Sequence, residues 1–386
     1  MPSAGLVTPA PVLRWLRQFF AVPTDAHAIR TLVGVRALAA SLVFLVHYQA
    51  AFGYLLRDRT ALYRLGQYAA ELGFHGVTVF FVLSGFLIYG SLLARPVRVG
   101  RYLHRRARRI YPTFLVVLGV YLVLSLLVPD RSKLPAHDGT IRYIVANALL
   151  LPGVFPVRPI MTVSWSLSFE VCFYVLVLAV VAGLRLRDWR PAPRVLLWTA
   201  LTAAWVVSGA NAQGLVRSFI LFVPGILLVE ATRSDGVRAA VARVPLWLTG
   251  VTFALALVAQ PLIAAHVLTP PVHIPFVGPG VVSFFLLATA IPLFLLRLIV
   301  APEMATVLSR EPVRRLGVVS YSFYLTHGLT INALAAVCAV RPIARFTDPL
   351  GAGAYVLLFP GVFAAATLVA FAVFRVVEEP LSLRVP

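Results

Sequence analysis

Charged residues are scarce in this sequence, and its basic residues are almost all arginine. Asp, Glu, Lys and Arg make up only 12% of the 386 residues, whereas 60% are hydrophobic and the mean hydropathy is +0.90. So few polar side chains cannot cover the surface of a sizeable soluble domain. Apolar stretches recur along the whole chain, and many approach the length of about 20 residues that crosses a bilayer. We therefore predict an all-α fold, a polytopic transmembrane helical bundle.

Cysteine is also scarce, because the chain contains only Cys172 and Cys338. Each lies inside an apolar stretch. Two such residues provide neither a disulfide framework nor the ligand spacing of a metal site. We therefore predict two thiols buried in the membrane and no metal site.

The apolar stretches predict about ten spans within a membrane domain that covers 29–380. Their approximate bounds are 30–53, 76–93, 111–128, 164–184, 195–210, 216–231, 245–268, 280–300, 316–339 and 351–377. The preceding tail, 1–28, is too polar and too often interrupted by proline to be a signal peptide. A short tail, 381–386, follows the domain.

The positive charge of the chain lies mainly in short segments between the spans. The net charge is +20, and the predicted loop from Arg95 to Arg109 alone holds seven arginines. Cytoplasmic loops of membrane proteins are enriched in arginine and lysine. This pattern places the basic loops and both termini in the cytoplasm. Because topology explains the charge, we predict no nucleic acid partner.

The first span carries two ionisable residues, Arg36 and His47. Ionisable groups inside a membrane are costly and usually face a bundle interior or a wet cavity. Eleven positions separate the two residues. This spacing is close to three helical turns, so both side chains lie on nearly the same face, about 16 Å apart along the axis. The pair predicts a polar passage with one basic end and one titratable end.

Glu170, in the fourth span, is predicted to lie at a depth similar to that of His47. Its distance from the start of the span places it about 10 Å below the outer edge of the membrane. A carboxylate beside a histidine orients the imidazole and raises its basicity, as general-base catalysis requires. The alternative is that Glu170 only packs the helices, with a hydrogen bond to a hydroxyl such as that of Ser166.

The ninth span contains Tyr324 and His327, which are three residues apart and share a helix face. His327 is predicted to lie near the middle of the membrane. Two interpretations are open. Either His327 lines the same passage as His47, or its imidazole bonds a neighbouring backbone carbonyl.

A dense group of arginines directly precedes the third span and consists of Arg105, Arg106, Arg108 and Arg109. Guanidinium groups bind phosphates through bidentate, charge-assisted hydrogen bonds. A phosphorylated cofactor and anionic lipid headgroups both fit such a cluster. The residues alone do not decide between these two ligands.

Several motifs occur in an order and spacing that are specific when taken together. They are Arg36 with His47; GVTVFFVLSGFLI from Gly76 to Ile88; Arg105, Arg106 and Arg109 with Ile110 and Pro112; Trp165, Ser166, Leu167 and Glu170; Ser320, Tyr321, Tyr324 and His327; and Glu378 with Pro380. In these motifs the chain resembles acyltransferase family 3 from about residue 29 to residue 380. Members of that family are membrane proteins that move acyl groups onto extracytoplasmic sugars and related acceptors.

The resemblance implies a donor, an acceptor and a location. The donor is acyl-CoA, with acetyl-CoA expected, and its phosphates bind Arg105, Arg106 and Arg109 on the cytoplasmic side, with Arg36 near the same end. The acceptor is a hydroxyl of a carbohydrate or glycolipid, membrane lipid is the other partner, and the location is the cytoplasmic (inner) membrane of a bacterium. Neither a metal cofactor nor an appended periplasmic domain is expected.

The candidate catalytic residues are His47, Glu170, His327 and Tyr324. In the predicted mechanism, His47, oriented by Glu170, removes the proton of the acceptor hydroxyl, which attacks the thioester. In a variant, the acyl group passes through an acyl-histidine on His47 or His327. The alternative function is a transporter or flippase for a glycan or lipid, since such a protein also lines a passage with polar residues. No pattern in the sequence indicates the oligomeric state.

Overall fold

The computed structural model describes residues 30–56, 60–96, 98–135, 139–208, 219–264, 279–301 and 307–383. In these ranges the chain is almost entirely helical, with no named strand and one isolated bridge between Pro152 and Phe155. The predicted all-α class is therefore confirmed. The predicted N-terminal tail and the last three residues of the C-terminal tail lie outside the described ranges.

The helices of the described ranges are numbered here in chain order. They are α1 (Arg30–Phe52), α2 (Ala61–Ala94), α3 (Val99–Leu127), α4 (Thr140–Ala148), α5 (Ser164–Gly183), α6 (Pro191–Val207), α7 (Val223–Arg233), α8 (Asp235–Ala242), α9 (Leu246–Ala264), α10 (Pro279–Val300), α11 (Glu311–Val318), α12 (Ser320–Cys338), α13 (Arg341–Leu350) and α14 (Ala352–Val373). Helix α14 continues directly into a π-helix, Phe374–Leu383.

Among the described residues, seven helices are long and apolar enough to cross a membrane. They are α1, α2, α3, α5, α9, α10 and α14 with its π-helical extension. These helices identify the chain as a membrane protein. The other three predicted spans fall on α6 and α7, with 17 and 11 described residues, and on α12, which is rich in Ser, Thr and Tyr. The count of about ten spans and the cytoplasmic placement of both termini stay predictions.

The arginine-rich segment is helical, which corrects its interpretation as a loop. Helix α3 begins at Val99, so Arg101 to Arg109 form its first turns. Arginine is a good helix former, and this stretch contains neither glycine nor proline. Charge marks where a span leaves the membrane, but it does not end a helix. The helical backbone consequently fixes the positions of these guanidinium groups relative to the core.

Helices α1 and α2 pack antiparallel with their backbones close together. A Cβ atom on Gly73 would lie 2.5 Å from the carbonyl oxygen of Leu42, and one on Gly76 would lie 2.4 Å from that of Ala39. Only glycine fits at such distances. Small residues permit this close approach between membrane helices. The contact fixes the position of α1, which carries both ionisable residues of the first span.

Helices α1 and α12 run in the same direction. Near the start of both helices, Arg36 Nε donates a hydrogen bond to Ser320 Oγ at 3.1 Å. Farther along both, the rings of His47 and His327 meet with their centroids 4.9 Å apart. The shared direction places the arginine and the histidine of α1 beside two different levels of α12.

Helix α5 runs opposite to α3 and α12. At its start, Ser166 Oγ lies 2.6 Å from the hydroxyl of Tyr324 in α12. Two turns later, the carbonyl oxygen of Tyr174 accepts a hydrogen bond at 3.4 Å from the hydroxyl of Tyr102, near the start of α3. We call the end of the bundle at which α1 and α3 begin and α5 ends the basic end, because the arginines flanking these helices gather there.

Candidate active site

A cavity of about 160 Å³ lies between α1, α2, α3, α5 and α12. Its polar lining consists of Arg36, Ser84, Arg106, Arg109, Ser166, Glu170, Tyr174, Ser320, Tyr321 and Tyr324, and most of its apolar lining comes from α2. Three guanidinium groups face one carboxylate within this lining. Such a balance of charge favours an anionic ligand. The structure thus brings five of the predicted site residues to one cavity, which we call the arginine cavity.

Arg106 lies over two tyrosine rings at the wall of the arginine cavity. Its guanidinium carbon is 5.4 Å from the ring centroid of Tyr102 and 5.5 Å from that of Tyr174. Its buried Nε has no hydrogen-bond partner among the described residues. A buried N–H group without an acceptor is costly, so the cavity is suited to a ligand that brings one.

Arg109 is held by a carboxylate from the far end of the chain. Its Nη1 donates to Glu378 Oε1 at 2.6 Å, and Ser322 Oγ donates to Glu378 Oε2 at 2.5 Å. The Glu378 side chain is fully buried. Both of its oxygens are therefore engaged, as a buried carboxylate requires. The π-helix is in this way connected to the wall of the arginine cavity.

Arg105 is the predicted phosphate ligand that the structure does not bring to the arginine cavity. It lies one turn nearer the basic end than Arg109, and its side chain is exposed. Neighbouring Arg108 donates from Nε to the carbonyl oxygen of Leu381 at 3.2 Å, in the π-helix. Of the dense arginine group, only Arg106 and Arg109 line the cavity.

Glu170 binds hydroxyl groups rather than a histidine. Its Oε1 accepts hydrogen bonds from Ser84 Oγ at 2.9 Å and from the hydroxyl of Tyr174 at 2.6 Å. The predicted contact in which Glu170 orients His47 is therefore wrong. The predicted equal depth is wrong as well, because Glu170 lines the arginine cavity together with Arg36, whereas His47 meets His327 outside that lining. Helix α5 directs Glu170 towards α2, whereas His47 faces α12.

His47 and His327 form the second part of the site. Their rings meet edge to face, with centroids 4.9 Å apart. His327 is fully buried, and its Nδ1 lies 2.9 Å from the carbonyl oxygen of Phe323. A carbonyl oxygen only accepts, so this bond assigns the proton to Nδ1 and a lone pair to Nε2. Nε2 has no hydrogen-bond partner among the described residues. The bond to a backbone carbonyl is therefore confirmed, and His327 also contacts His47. That the two histidines line one passage stays a prediction.

Tyr324 connects the histidine pair to the arginine cavity. Its hydroxyl lies 2.6 Å from Ser166 Oγ and donates to the carbonyl oxygen of Val163 at 3.2 Å. Its ring is part of the cavity lining, and the centroid lies 6.0 Å from that of His327. The histidine pair thus lies one helical turn beyond the cavity, on the side away from the basic end.

Three contributors to the site were missed by the sequence-based predictions. Tyr174 is the fourth residue after Glu170, and that helical spacing was a usable signal for a side-chain contact. Ser84 and Ser322 approach from other helices, and no feature of the sequence specifies which carboxylate each meets. The arrangement as a whole can hold an anion at the arginines and accept a proton at a histidine.

Comparison with known proteins found a family model and named relatives that match this chain. Residues 30–375 match the family model of acyltransferase family 3, described as an acyltransferase domain. The chain is 30% identical to the exopolysaccharide production protein ExoZ of Rhizobium meliloti over 323 residues, which cover 81% of this chain and 90% of ExoZ. It is 28% identical to the acyltransferase MdmB of Streptomyces mycarofaciens over 341 residues, 81% of each protein. No solved structure gave a significant match.

Proposed function

The chain belongs to acyltransferase family 3 and is a membrane O-acyltransferase, and from this premise we propose its donor, its acceptor and its reaction. The donor is acyl-CoA, expected to be acetyl-CoA, which enters from the cytoplasm. The acceptor is a hydroxyl of a sugar, glycan or glycolipid on the outer side of a bacterial cytoplasmic membrane.

The observation that carries the proposal is the distance along α1 between the positively charged Arg36 and the candidate base His47. Arg36 lines the arginine cavity, and His47 lies eleven residues farther from the basic end. That spacing corresponds to about 16 Å along the helix. A long, uncharged arm between an anionic group and a reacting carbonyl matches the shape of acyl-CoA, in which pantetheine joins the diphosphate to the thioester. In this arrangement Arg36, Arg106 and Arg109 hold the diphosphate.

The reaction follows from the histidine pair. His47 is half-buried and can be reached by an acceptor, whereas His327 is fully buried behind it. His47 removes the proton of the acceptor hydroxyl, whose oxygen forms a bond to the thioester carbon. The carbon–sulfur bond breaks, and the leaving thiolate takes the proton to give CoA with a free thiol. General-base assistance of this kind contributes about 10²- to 10⁴-fold to the rate. Positioning of the two substrates supplies much of the remainder.

The nature of the acceptor is supported by one relative. ExoZ is named as an exopolysaccharide production protein. An acceptor of that class offers many hydroxyl groups, each of which needs a base to become a nucleophile at neutral pH. A saccharide hydroxyl therefore fits both the name of the relative and the chemistry of an imidazole.

The test of the proposed function is acyl transfer by membranes that contain His47→Ala. We expect transfer of label from acetyl-CoA to surface glycan to fall at least about 10²-fold, because the base is removed. The matched control is His104→Ala, which removes an exposed histidine from the basic end of α3. The control should retain activity. Transfer near the wild-type rate in His47→Ala membranes, with the protein present at normal abundance, would show that His47 is not the base.

A further inference from the structure

A second cavity, of about 330 Å³, lies between the ends of α2 and α5 and the start of α3. Its apolar wall includes Leu92, Val99, Leu178 and Val181, and its charged rim consists of Arg185, Arg187 and Asp188. No step of the reaction above uses these residues. We propose that this cavity, called the adenosine pocket below, binds the 3′-phosphoadenosine end of acyl-CoA. The inference rests on the proposed function, because that function supplies the donor.

The adenosine pocket lies one turn beyond the arginine cavity along two of the same helices, α2 and α5. On α2, the lining passes from Ile88 in the arginine cavity to Leu92 in the pocket. On α5, it passes from Tyr174 to Leu178. Each step is one turn, about 5.4 Å, towards the basic end. A ligand with its diphosphate in the arginine cavity and its thioester beside His47 would extend its nucleoside in this direction.

Arg187 has a fixed position at the rim of the pocket. Its Nε donates to the carbonyl oxygen of Leu92 at 2.7 Å, and its Nη2 donates to that of Arg95. Its Nη1 has no hydrogen-bond partner in the described part of the chain. A guanidinium anchored by two backbone carbonyls is preorganised, so a phosphate meets it without further loss of side-chain freedom.

Arg185 reaches the same rim from a strained backbone. Its φ angle of 52° lies in the left-handed region, which residues with a side chain rarely adopt. Such strain concentrates at functional positions. The Arg185 guanidinium is exposed, and its Nε lies 3.2 Å from Asp188 Oδ2. Two arginines and one carboxylate therefore face the mouth of an apolar pocket.

Asp188 favours a nucleoside over a phospholipid headgroup as the ligand. A phosphate of either ligand suits the two arginines and not the carboxylate, so the ligands differ in the group that they offer to Asp188. The phosphate of an anionic headgroup offers it no donor. Adenine instead offers an exocyclic amine that can donate to Asp188, and its flat apolar faces suit a wall of leucine and valine. The 3′-phosphate of CoA then binds the guanidinium groups of Arg185 and Arg187. A single ligand would thus contact both arginines, the carboxylate and the apolar wall of the pocket.

Equilibrium binding of CoA and of 3′-dephospho-CoA to the purified chain in lipid nanodiscs tests this assignment. Arg185→Ala is expected to weaken CoA binding about tenfold, the effect of one partly exposed charge-assisted hydrogen bond. Binding of 3′-dephospho-CoA should not change, because the lost contact is to the missing phosphate. Ala182→Phe, which places a ring in the pocket lining, should weaken both ligands but leave 4′-phosphopantetheine unaffected.

The matched control is Arg238→Ala. Arg238 is likewise exposed and lies 3.4 Å from an aspartate three residues away, Asp235, but it lines neither cavity. Equal effects of Arg185→Ala on the two CoA forms, or none on either, would overturn the assignment. If Arg185→Ala leaves CoA binding unchanged but alters the response of the protein to phosphatidylglycerol in the nanodisc, the pocket binds lipid. That result would also overturn the assignment. A wild-type chain that binds no CoA would overturn the proposed function as well.

Discussion

At the scale of single residues, Glu378 determines which arginines of the cavity are available to a ligand. It accepts a hydrogen bond from Arg109 and another from Ser322 while fully buried. Removing one partner of such a pair usually costs about 3–5 kcal/mol, because the other charge stays buried alone. Arg109 is thus partly committed to holding the π-helix in place. The charge that a bound diphosphate meets comes chiefly from Arg36 and Arg106, neither of which has a carboxylate partner among the described residues.

His327 allows a structural role and a chemical role to be separated in one side chain. Its Nδ1 donates to the carbonyl oxygen of Phe323, and its Nε2 has no partner in the described ranges. Asparagine places an amide N–H near the position of Nδ1 and nothing at Nε2. We predict that His327→Asn keeps a thermal midpoint near that of the wild type and lowers acyl transfer about tenfold, less than loss of the base itself, because the lone pair that orients the imidazole of His47 is absent.

Thermal unfolding in detergent and transfer of acetyl label check this prediction together. The control is His75→Asn, which changes a half-buried histidine of α2 outside the site. It should leave transfer unchanged. A stable His327→Asn protein with wild-type activity would restrict His327 to packing and leave His47 as the only histidine of the mechanism.

At the scale of helices, α2 holds its neighbours through glycine. Gly85 of α2 and Gly225 of α7 face each other. A Cβ atom on Gly85 would lie 2.2 Å from the carbonyl oxygen of Phe222, and one on Gly225 would lie 2.0 Å from that of Val82. Ser84, beside Gly85, donates to Glu170. The same turn of α2 therefore sets both the approach of α7 and the position of the cavity carboxylate.

This geometry predicts that Gly85→Ala and Gly225→Ala each destabilise the bundle by about 1–3 kcal/mol, because the backbones must move apart. Gly90→Ala, on the same helix, is the matched control, since a Cβ there would lie 3.5 Å from a Val229 methyl group, an ordinary contact. Thermal unfolding of the purified proteins should give lower midpoints for Gly85→Ala and Gly225→Ala than for Gly90→Ala. Equal midpoints for all three would mean that α7 can shift without loss, which contradicts the close contact described here.

At the scale of the whole molecule, residue counting along the chain predicted more of the fold than of the site. Length and apolar content alone identify a membrane helix, because the bilayer sets both. The depth of a residue follows from the same count, and Arg36 and His47 do lie at two levels of α12. The count fails where a helix begins at a level other than the assumed membrane edge, since that level depends on packing against neighbours that are distant in sequence. Glu170 was assigned both the wrong depth and the wrong partner. Helix α5 begins inside the bundle, where Ser166 contacts Tyr324, and the fourth residue after Ser166 therefore reaches the level of Arg36.

The arginine-rich start of α3 illustrates a second limit. A run of charge was interpreted as a loop, because hydropathy reports the medium around a segment and not its backbone conformation. Arg105 and Arg109 consequently seemed equivalent as phosphate ligands. In the helix, one is exposed and the other lines the cavity. The family motif supplied the residue types, and only the fold separates their environments.

The directions of the helices make a prediction about the molecule as a whole. Helices α1, α3 and α12 begin at the basic end and α5 ends there, so exposed arginines such as Arg105 and Arg190 lie on that side. The helix α4, with exposed Arg142, follows the far end of α3. If the excess of arginine sets orientation, the basic end is cytoplasmic. In a variant with Cys172→Ser and Cys338→Ser, an impermeant maleimide should label Arg142→Cys on intact cells. It should label Arg105→Cys and Arg190→Cys only after the membrane is opened, and the reverse pattern would place the arginine cavity out of reach of cytoplasmic acyl-CoA.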